Sequence, residues 1–197
     1  LDDAALAKIA KFERYRDVDG DGIPYRTLPG TKDWKGTYFT RGSGHDEAAR
    51  YTEDPQAYVR NMDRLKKKLM TARALVPAPE VASFTATEVG LIAFGSSHWA
   101  VIEARTQLAD AGIPTSYMRV RGLPLHASVA EFVKKHDRVY VIEQNRDGQL
   151  AERIRLESPE RAARIKSVLH YDGLPLDAKS VTDGVLAHEG VHQGVPK

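Results

Sequence analysis

The chain has 197 residues, of which 42% are hydrophobic and 28% are charged, and its formal net charge is only +2. These values are ordinary for a globular domain with an extension, and so small a net charge does not indicate a nucleic-acid-binding protein. The absence of cysteine excludes a disulfide framework, a cysteine-ligated zinc site and an iron–sulfur cluster held by this chain. No apolar run reaches the roughly 18 residues that span a membrane and no signal peptide is visible, so we expect a cytoplasmic protein.

The first part of the chain combines a short helical pattern with a long loop. A helix-like run extends from Asp2 to Phe12, and because the chain starts at Leu1 we expect part of a longer polypeptide upstream. The segment 17–46 then shows no sustained helix or strand period, and loops of this length are usually functional or disordered. Apolar anchors favour an ordered, functional loop; they are Ile23, Tyr25, Leu28, Trp34, Tyr38 and Phe39.

A long helix is predicted after the loop, with Asp54 as its N-cap and Pro55 as its first residue. Apolar residues recur along it at alternating spacings of four and three, as in an amphipathic stripe: Tyr58, Met62, Leu65, Leu69, Ala72 and Val76. Basic residues lie off that stripe and predict a solvated face: Arg60, Arg64, Lys66, Lys67, Lys68 and Arg73. Pro77 and Pro79 end the helix and open a linker that we expect to reach Glu88.

Strand and helix patterns alternate through the rest of the chain. A short apolar run predicts a buried strand at Val89–Phe94, and three further strands are predicted at Thr115–Val120, Arg138–Ile142 and Ile165–Leu169. Helices are predicted at His98–Ala111, Val129–Lys135 and Gly148–Leu156, and Leu176–Ala187 is expected to end the fold. This alternation is typical of an α/β fold, a parallel sheet flanked by helices with right-handed crossovers.

Small and polar residues follow two of the predicted strands. Gly95, Ser96 and Ser97 lie between a strand and a helix, where they can bind an anion or simply form a tight turn with an N-cap. Glu143, Asn145 and Arg146 lie at the end of another strand. Ligands of open α/β sheets bind beyond the carboxyl ends of the strands, so the two groups can share a crevice, or can instead form an interdomain hydrogen-bond network.

Two arginines of the loop, Arg26 and Arg41, are candidates for binding an acidic small molecule. A guanidinium group matches a carboxylate or a phosphate with two parallel hydrogen bonds. The alternative is that these arginines stiffen the loop by pairing with its own carboxylates, at Asp19, Asp21, Asp33 and Asp46. His45 can transfer protons in such a site or serve only as a hydrogen-bonding residue.

Two motifs resemble metal sites without completing them. A D-x-D-x-D-G half-motif of the EF-hand type begins at Asp17, but Leu28 takes the position of the bidentate Glu, so Asx-turns are favoured. Residues 188–192 match H-E-x-x-H, but Gly190 weakens a helix and no third ligand follows, so a frayed polar chain end is favoured. We therefore expect no metal site in this chain.

Several segments together resemble one family. They are DGDGIPYRTLPGT, YFTRGSGHDE, NMDRLKKKL with TARALVP, the GSS turn, YMRVRGLPL, RVYVIEQNRDGQL and HYDGLPL. Their order and content resemble the alpha subunit of 2-oxoacid:ferredoxin oxidoreductases, and within it the 2-oxoglutarate:ferredoxin oxidoreductase branch. The resemblance covers nearly the whole chain and ends at about Ala187.

This resemblance implies a domain organisation in four parts. Residues 1–50 resemble the end of a thiamine-diphosphate pyrimidine-type domain and include the substrate loop. Residues 51–80 form a helix and linker, 81–187 a transketolase C-terminal-like α/β domain, and 188–197 a polar tail.

The resemblance also implies an activity, the oxidative decarboxylation of a 2-oxoacid with coenzyme A to an acyl-CoA, carbon dioxide and reduced ferredoxin. A beta subunit is expected to hold most of the thiamine diphosphate, its magnesium and a 4Fe–4S cluster, with none held by this chain alone. Arg26 falls at the position that binds the distal carboxylate of the substrate, with Thr31 as a hydroxyl partner. Further candidate ligand or interface residues are Thr27, Arg41, His45, Gly95, Ser96, Ser97, Glu143 and Asn145.

Three hypotheses follow from the sequence. The chain is part of the substrate-side subunit of such an oxidoreductase, or a scaffold domain of the same complex without substrate contact, or a stand-alone metal-binding protein. No residue is expected to act as a nucleophile or a proton shuttle, and neither nucleic acid nor a membrane is an expected partner.

Overall fold

The computed structural model of the protein describes residues 1–40, 44–83 and 88–191. The chain divides into two compact units, Leu1–Leu75 and Val76–Lys197. The first unit consists mainly of the long loop and one long helix, and the second is an α/β domain. Among the described residues, no helix is long and apolar enough to cross a membrane.

Helix α1 (Asp3–Ala7) is shorter than the predicted run from Asp2 to Phe12. The Nζ of Lys35 donates hydrogen bonds to the backbone carbonyls of Leu6 at 2.9 Å and Ile9 at 3.3 Å. Carbonyl groups at a helix end need such partners, so the lysine stabilises an early end to the helix.

Helix α2 (Pro55–Leu75) matches the predicted bounds to within one residue. The predicted N-cap is confirmed, because the Asp54 carboxylate accepts hydrogen bonds from the amides of Gln56 at 3.0 Å and Ala57 at 3.1 Å. The basic side of this helix is largely exposed, as predicted, and only Arg64 and Arg73 are half-buried. Arg64 donates a 3.3 Å hydrogen bond to the carbonyl of Gly22, so part of that side packs on the loop.

The second unit contains one five-stranded sheet with the strand order β1-β3-β2-β4-β5. The strands are β1 (Glu80–Ala82), β2 (Val89–Phe94), β3 (Thr115–Val120), β4 (Arg138–Glu143) and β5 (Ile165–Leu169). Strands β2 to β5 are parallel, as predicted, but β1 pairs with β3 in the antiparallel direction. The expected linker therefore contains an edge strand, and the expected all-parallel sheet is mixed.

Helices cover both faces of the sheet. They are α3 (His98–Asp110), α4 (Ser128–Lys135), α5 (Gln149–Glu157) and α6 (Ala178–Glu189). Side chains of α3 and α6 form one apolar core with the sheet, and side chains of α4 and α5 form the other. Successive residues of a strand point to opposite faces, so Leu91 lies in the first core and Ile92 in the second.

Helix α6 extends two residues into the segment that was expected to be a frayed polar tail. The Glu189 carboxylate accepts a 2.8 Å hydrogen bond from the Nε of Arg138 and a further hydrogen bond from the Tyr140 hydroxyl. These contacts with β4 fix the last turn of the helix. At its other end, Asp177 accepts a hydrogen bond from the amide of Ser180, which lowers the pKa of this carboxyl.

Candidate functional site

Arg26 lies in the loop of the first unit with its side chain exposed. No described residue forms a hydrogen bond or an ion pair with its guanidinium. Nearby hydroxyls are used within the loop, because Thr27 donates to the carbonyl of Gly36 at 2.9 Å and Thr31 donates to that of Leu28 at 2.8 Å. The loop therefore presents one arginine side chain from a backbone that its own hydrogen bonds hold.

The carboxylates that were expected to pair with Arg26 bond elsewhere. Asp19 accepts a 2.9 Å hydrogen bond from the Tyr25 hydroxyl, and Asp33 lies 3.7 Å from the Nζ of Lys35. Arg41, the second candidate for acid recognition, lies outside the described residues.

Two carboxylates of the EF-hand half-motif accept hydrogen bonds from nearby backbone amides, and one of the predicted Asx-turns forms, at Asp21. The Asp17 carboxylate accepts a hydrogen bond from the amide of Asp21 at 3.0 Å, and the Asp21 carboxylate accepts one from Ile23 at 2.7 Å. Within the described ranges, no group of three or more His, Asp or Glu side chains comes together as a metal site.

The zinc-protease-like motif at the chain end is also engaged in local packing. His188 lies within 3.2 Å of the carbonyl of Ser167, and Glu189 makes the contacts with β4 described above. His192, the second histidine of the motif, lies outside the described residues.

His45 lies apart from Arg26 in contact with α2. Its Nε2 is 3.1 Å from the Nδ2 of Asn61, and its ring packs on Tyr15 at a centroid distance of 4.0 Å. It lines a cavity of about 570 Å³ whose wall also carries four acidic and four basic side chains: Glu13, Asp17, Glu47, Asp63, Arg16, Arg60, Arg64 and Lys67. The near balance of charge gives this cavity no clear preference for an acidic ligand.

A second candidate site lies at the carboxyl ends of β2 and β4. These strands are neighbours, and the chain runs from β2 to β3 on one side and onward to β4 on the other, so the crevice lies at the topological switch point of the sheet. A cavity of about 430 Å³ opens there, within the size range of ligand pockets. Six residues were predicted to share a crevice, and five of them line this cavity: Gly95, Ser96, Ser97, Glu143 and Asn145. Arg146 does not line it and instead donates a 2.8 Å hydrogen bond to Asp147.

Gln144 also lines this cavity, although its residue type alone did not single it out. Its Nε2 donates hydrogen bonds to the hydroxyls of Ser96 at 3.1 Å and Ser97 at 3.2 Å, so it joins the two strand ends. Its position between Glu143 and Asn145 was the signal that could have identified it. The apolar walls come from Phe94, Val120, Leu123, Ile142 and Leu150.

The polar groups of Glu143 and Asn145 mainly hold the turn into α5. Glu143 accepts hydrogen bonds from the amides of Leu150 at 2.6 Å and Ala151 at 3.2 Å, and the Oδ1 of Asn145 accepts one from Gly148 at 2.7 Å. Burial raises the pKa of the Glu143 carboxyl, although these amides favour its charged form. The chain's own carboxylate thus occupies the N-terminus of α5, which is not the helix end, at the start of α3, where an anion was predicted to bind.

The sequence is similar to part of the alpha subunits of 2-oxoacid:ferredoxin oxidoreductases. One curated relative is 2-oxoacid:ferredoxin oxidoreductase 2, subunit alpha, of Aeropyrum pernix, which is 30% identical over 181 residues and aligns with 89% of this chain. The chain spans only 27% of the length of that relative. No protein-family model matches the chain.

Solved structures share the fold. The 2-oxoglutarate:ferredoxin oxidoreductase from Magnetococcus marinus, solved with 2-oxoglutarate, coenzyme A and succinyl-CoA bound, aligns with 94% of this chain and 32% of its own. The TM-score is 0.78 and the identity is 23%, so this likeness establishes the fold alone. A split-gene transketolase aligns with 66% of this chain and 56% of its own, at a TM-score of 0.49 and 15% identity, which supports no argument.

Proposed function

We propose that the chain forms part of the alpha subunit of a 2-oxoacid:ferredoxin oxidoreductase that acts on 2-oxoglutarate. The similarity to the Aeropyrum pernix subunit over 181 residues supports the family, and the shared fold agrees with it. In this proposal residues 1–50 are the end of a pyrimidine-type domain and 81–187 a transketolase C-terminal-like domain. A beta subunit is the partner, and coenzyme A and ferredoxin are co-substrates of the complex.

The observation that carries the substrate proposal is the exposed Arg26 side chain in a loop held by its own hydrogen bonds. A dicarboxylic 2-oxoacid needs a fixed cation at its far end, and a guanidinium offers two parallel donors to a carboxylate. Binding at that end would hold the keto carbon in a reproducible position, which favours reaction. The hydroxyl of Thr31 has a single proton, so it can assist the substrate only by leaving the carbonyl of Leu28.

The described residues do not fit the redox and metal groups of the proposed complex. The chain has no cysteine for an iron–sulfur cluster. Its described part also brings together no acidic or histidine group that suits a magnesium ion. In this proposal the partner subunit holds the cluster and most of the thiamine diphosphate with its magnesium, and no step of this chain is derived through them.

The test is steady-state kinetics of the assembled complex with Arg26→Ala and Arg26→Lys. We expect Arg26→Ala to lower kcat/KM for 2-oxoglutarate by about 10- to 100-fold, chiefly through KM, with a much smaller effect on pyruvate. Arg26→Lys keeps the positive charge but loses the two parallel donors of the guanidinium, so its kcat/KM for 2-oxoglutarate should lie between those of wild type and Arg26→Ala. Arg50→Ala, at another exposed arginine of the same unit, is the control. Equal losses for both substrates would contradict the role of Arg26.

The alternative is a scaffold domain of the same complex that does not contact the substrate. The exposed apolar stripe of α2 favours it, because such a surface serves assembly rather than catalysis. A scaffold predicts that substitutions in the loop change the amount of assembled complex and leave the kinetics of the assembled fraction unchanged.

A further inference from the structure

The apolar stripe of α2 is exposed rather than buried. Tyr58, Met62, Leu65 and Leu69 lie along it with exposures from 36% to 60%, whereas Ala57 is the buried residue of the helix. Single exposed apolar residues are common on protein surfaces, but a row of them along one helix marks an interaction surface.

The opposite side of α2 makes the contacts within the first unit, and those contacts are polar. Arg64 donates to the carbonyl of Gly22, Thr71 donates to that of Asp21, and Lys67 lies 3.5 Å from the Asp17 carboxylate. The helix is thus held to the loop by its hydrophilic side, and its apolar stripe points away from that loop.

The spacing of the stripe identifies the kind of surface that fits it. Its apolar residues alternate at intervals of four and three, which is the a/d pattern of a coiled coil: Tyr58, Met62, Leu65, Leu69 and Ala72. Exposed Val59, Met70 and Leu75 extend the apolar surface of α2 on either side of this row, while the row itself keeps the spacing by which two helices pack along a seam. The occupant that matches this seam is another α-helix.

The residues of α2 beside its apolar seam indicate which charge the partner helix should carry. Lys66 takes an e position and Lys68 a g position, both are exposed, and neither forms an ion pair with a described residue. The single acidic residue of α2, Asp63, lies on the other side at a b position. Charges at e and g select the partner in coiled coils, so basic flanks favour an acidic helix and disfavour a second copy of this one.

We propose that α2 is one strand of a heterotypic helix pair, and that its partner is an amphipathic α-helix of another protein chain with glutamate or aspartate beside its apolar seam. The pairing does not depend on the catalytic role of Arg26. It would anchor this chain in an assembly through a surface that the chain itself leaves exposed.

The test uses the full chain and two synthetic peptides of about three heptads with leucine at the a and d positions. One peptide carries glutamate at e and g, and the other carries lysine there. Isothermal titration calorimetry should detect binding of the acidic peptide and not of the basic one. Leu69→Asp should weaken that binding by roughly 30-fold or more, and Lys66→Glu with Lys68→Glu should transfer the preference to the basic peptide.

Matched controls separate the seam from general effects. Leu156→Asp changes an exposed leucine of α5, and Lys135→Glu changes an exposed lysine of α4, so neither should alter peptide binding. The charge-reversed variant affects only exposed side chains and keeps the test valid if Leu69→Asp fails to fold. Equal binding of both peptides, or of neither, would overturn the proposal. The proposal would also be overturned if the protein self-associated in a way that Leu69→Asp abolishes. Binding to phosphatidylserine vesicles that Leu69→Asp abolishes, without any peptide binding, would overturn it too.

Discussion

The carboxylate of Glu143, the last residue of β4, accepts a 2.6 Å hydrogen bond from the backbone amide of Leu150 in the first turn of α5. The positive end of a helix is a common place for a bound anion. Here an acidic side chain of the same domain fills that place, although it is almost fully buried. The N-terminus of α5 is therefore not available to a second anion.

This arrangement predicts a pH-dependent cost to stability. Burial raises the pKa of Glu143 above its ordinary value of 4.5, so the folded protein holds this proton more tightly than the unfolded chain. As the pH rises above 4.5, the unfolded chain loses the proton first, and the folded state loses stability until the raised pKa is passed. Glu143→Gln removes that titration and keeps an acceptor oxygen for Leu150.

Urea unfolding between about pH 4 and pH 8 measures this effect. The free energy of unfolding of Glu143→Gln, relative to wild type, should rise with pH across this interval. Glu152→Gln removes an exposed charge from the same helix and is the control. A relative stability that is constant with pH, or that falls, would show that the carboxylate is not destabilised by burial.

A second prediction concerns the contact between the loop and α2. Gly22 has a φ of +81°, and a Cβ at this position would lie 2.4 Å from the backbone nitrogen of Lys68. Gly22→Ala should lower the free energy of unfolding by more than about 2 kcal/mol, because backbone must move. Gly30→Ala is the matched control, since Gly30 has a φ of +96° and a Cβ there meets no described atom within 4 Å.

Strain at a positive φ alone should cost Gly30→Ala only about 1–2 kcal/mol. Hydrogen exchange adds a local measurement, because loss of the contact should expose amides of the loop in Gly22→Ala and not in Gly30→Ala. Equal losses in the two variants would mean that the close approach of the loop to α2 contributes nothing.

A third prediction separates the two hydroxyls of the substrate loop. Under the proposed function, Thr31→Val should raise the KM for 2-oxoglutarate by about 5-fold, the value of one neutral hydrogen bond. Thr27 donates to the carbonyl of Gly36, so Thr27→Val should reduce stability and leave the KM unchanged. Steady-state kinetics of the assembled complex measures the KM of each variant for 2-oxoglutarate. Similar KM values for Thr31→Val and Thr27→Val would show that Thr31 does not contact the substrate.

The fold was largely predictable where strands are buried on both faces. The apolar run of β2 locates that strand at its observed bounds. The bounds of β5 were also predicted, although Lys166 and Ser167 interrupt its apolar residues. Strand β1 was missed because its three residues are exposed and its pairing with β3 depends on backbone hydrogen bonds that a side-chain pattern does not report. The orientation of α2 could not be predicted either, because its apolar stripe is exposed and its polar side contacts the loop of the same unit.

The candidate site was predictable in position and not in detail. Gly95 and Glu143 were placed at strand ends by sequence, and parallel strands bring such ends to one edge of a sheet. That Glu143 bonds to α5 depends on the geometry of the turn between them, which residue types do not specify. Gln144 was missed for the same reason, because its role depends on the distance between two strand ends.

The last prediction concerns the attachment of α6 to β4. The hydroxyl of Tyr140 and the Nε of Arg138 both donate hydrogen bonds to Glu189. Burial, followed by the hydrogen bond to Glu189, raises the pKa of Tyr140 well above its usual range, so the phenol remains a donor at neutral pH. Tyr140→Phe removes that donor with little change in shape and should cost about 1 kcal/mol of stability.

A double-mutant cycle of Tyr140→Phe and Glu189→Gln measures the pair itself. We expect the two free-energy losses to be non-additive by about 1 kcal/mol, because each variant disrupts the same hydrogen bond. Amides in the last turn of α6 should also exchange faster in both single variants. Strictly additive losses would show that the two side chains act independently, and the helix end would then depend on the ion pair between Arg138 and Glu189.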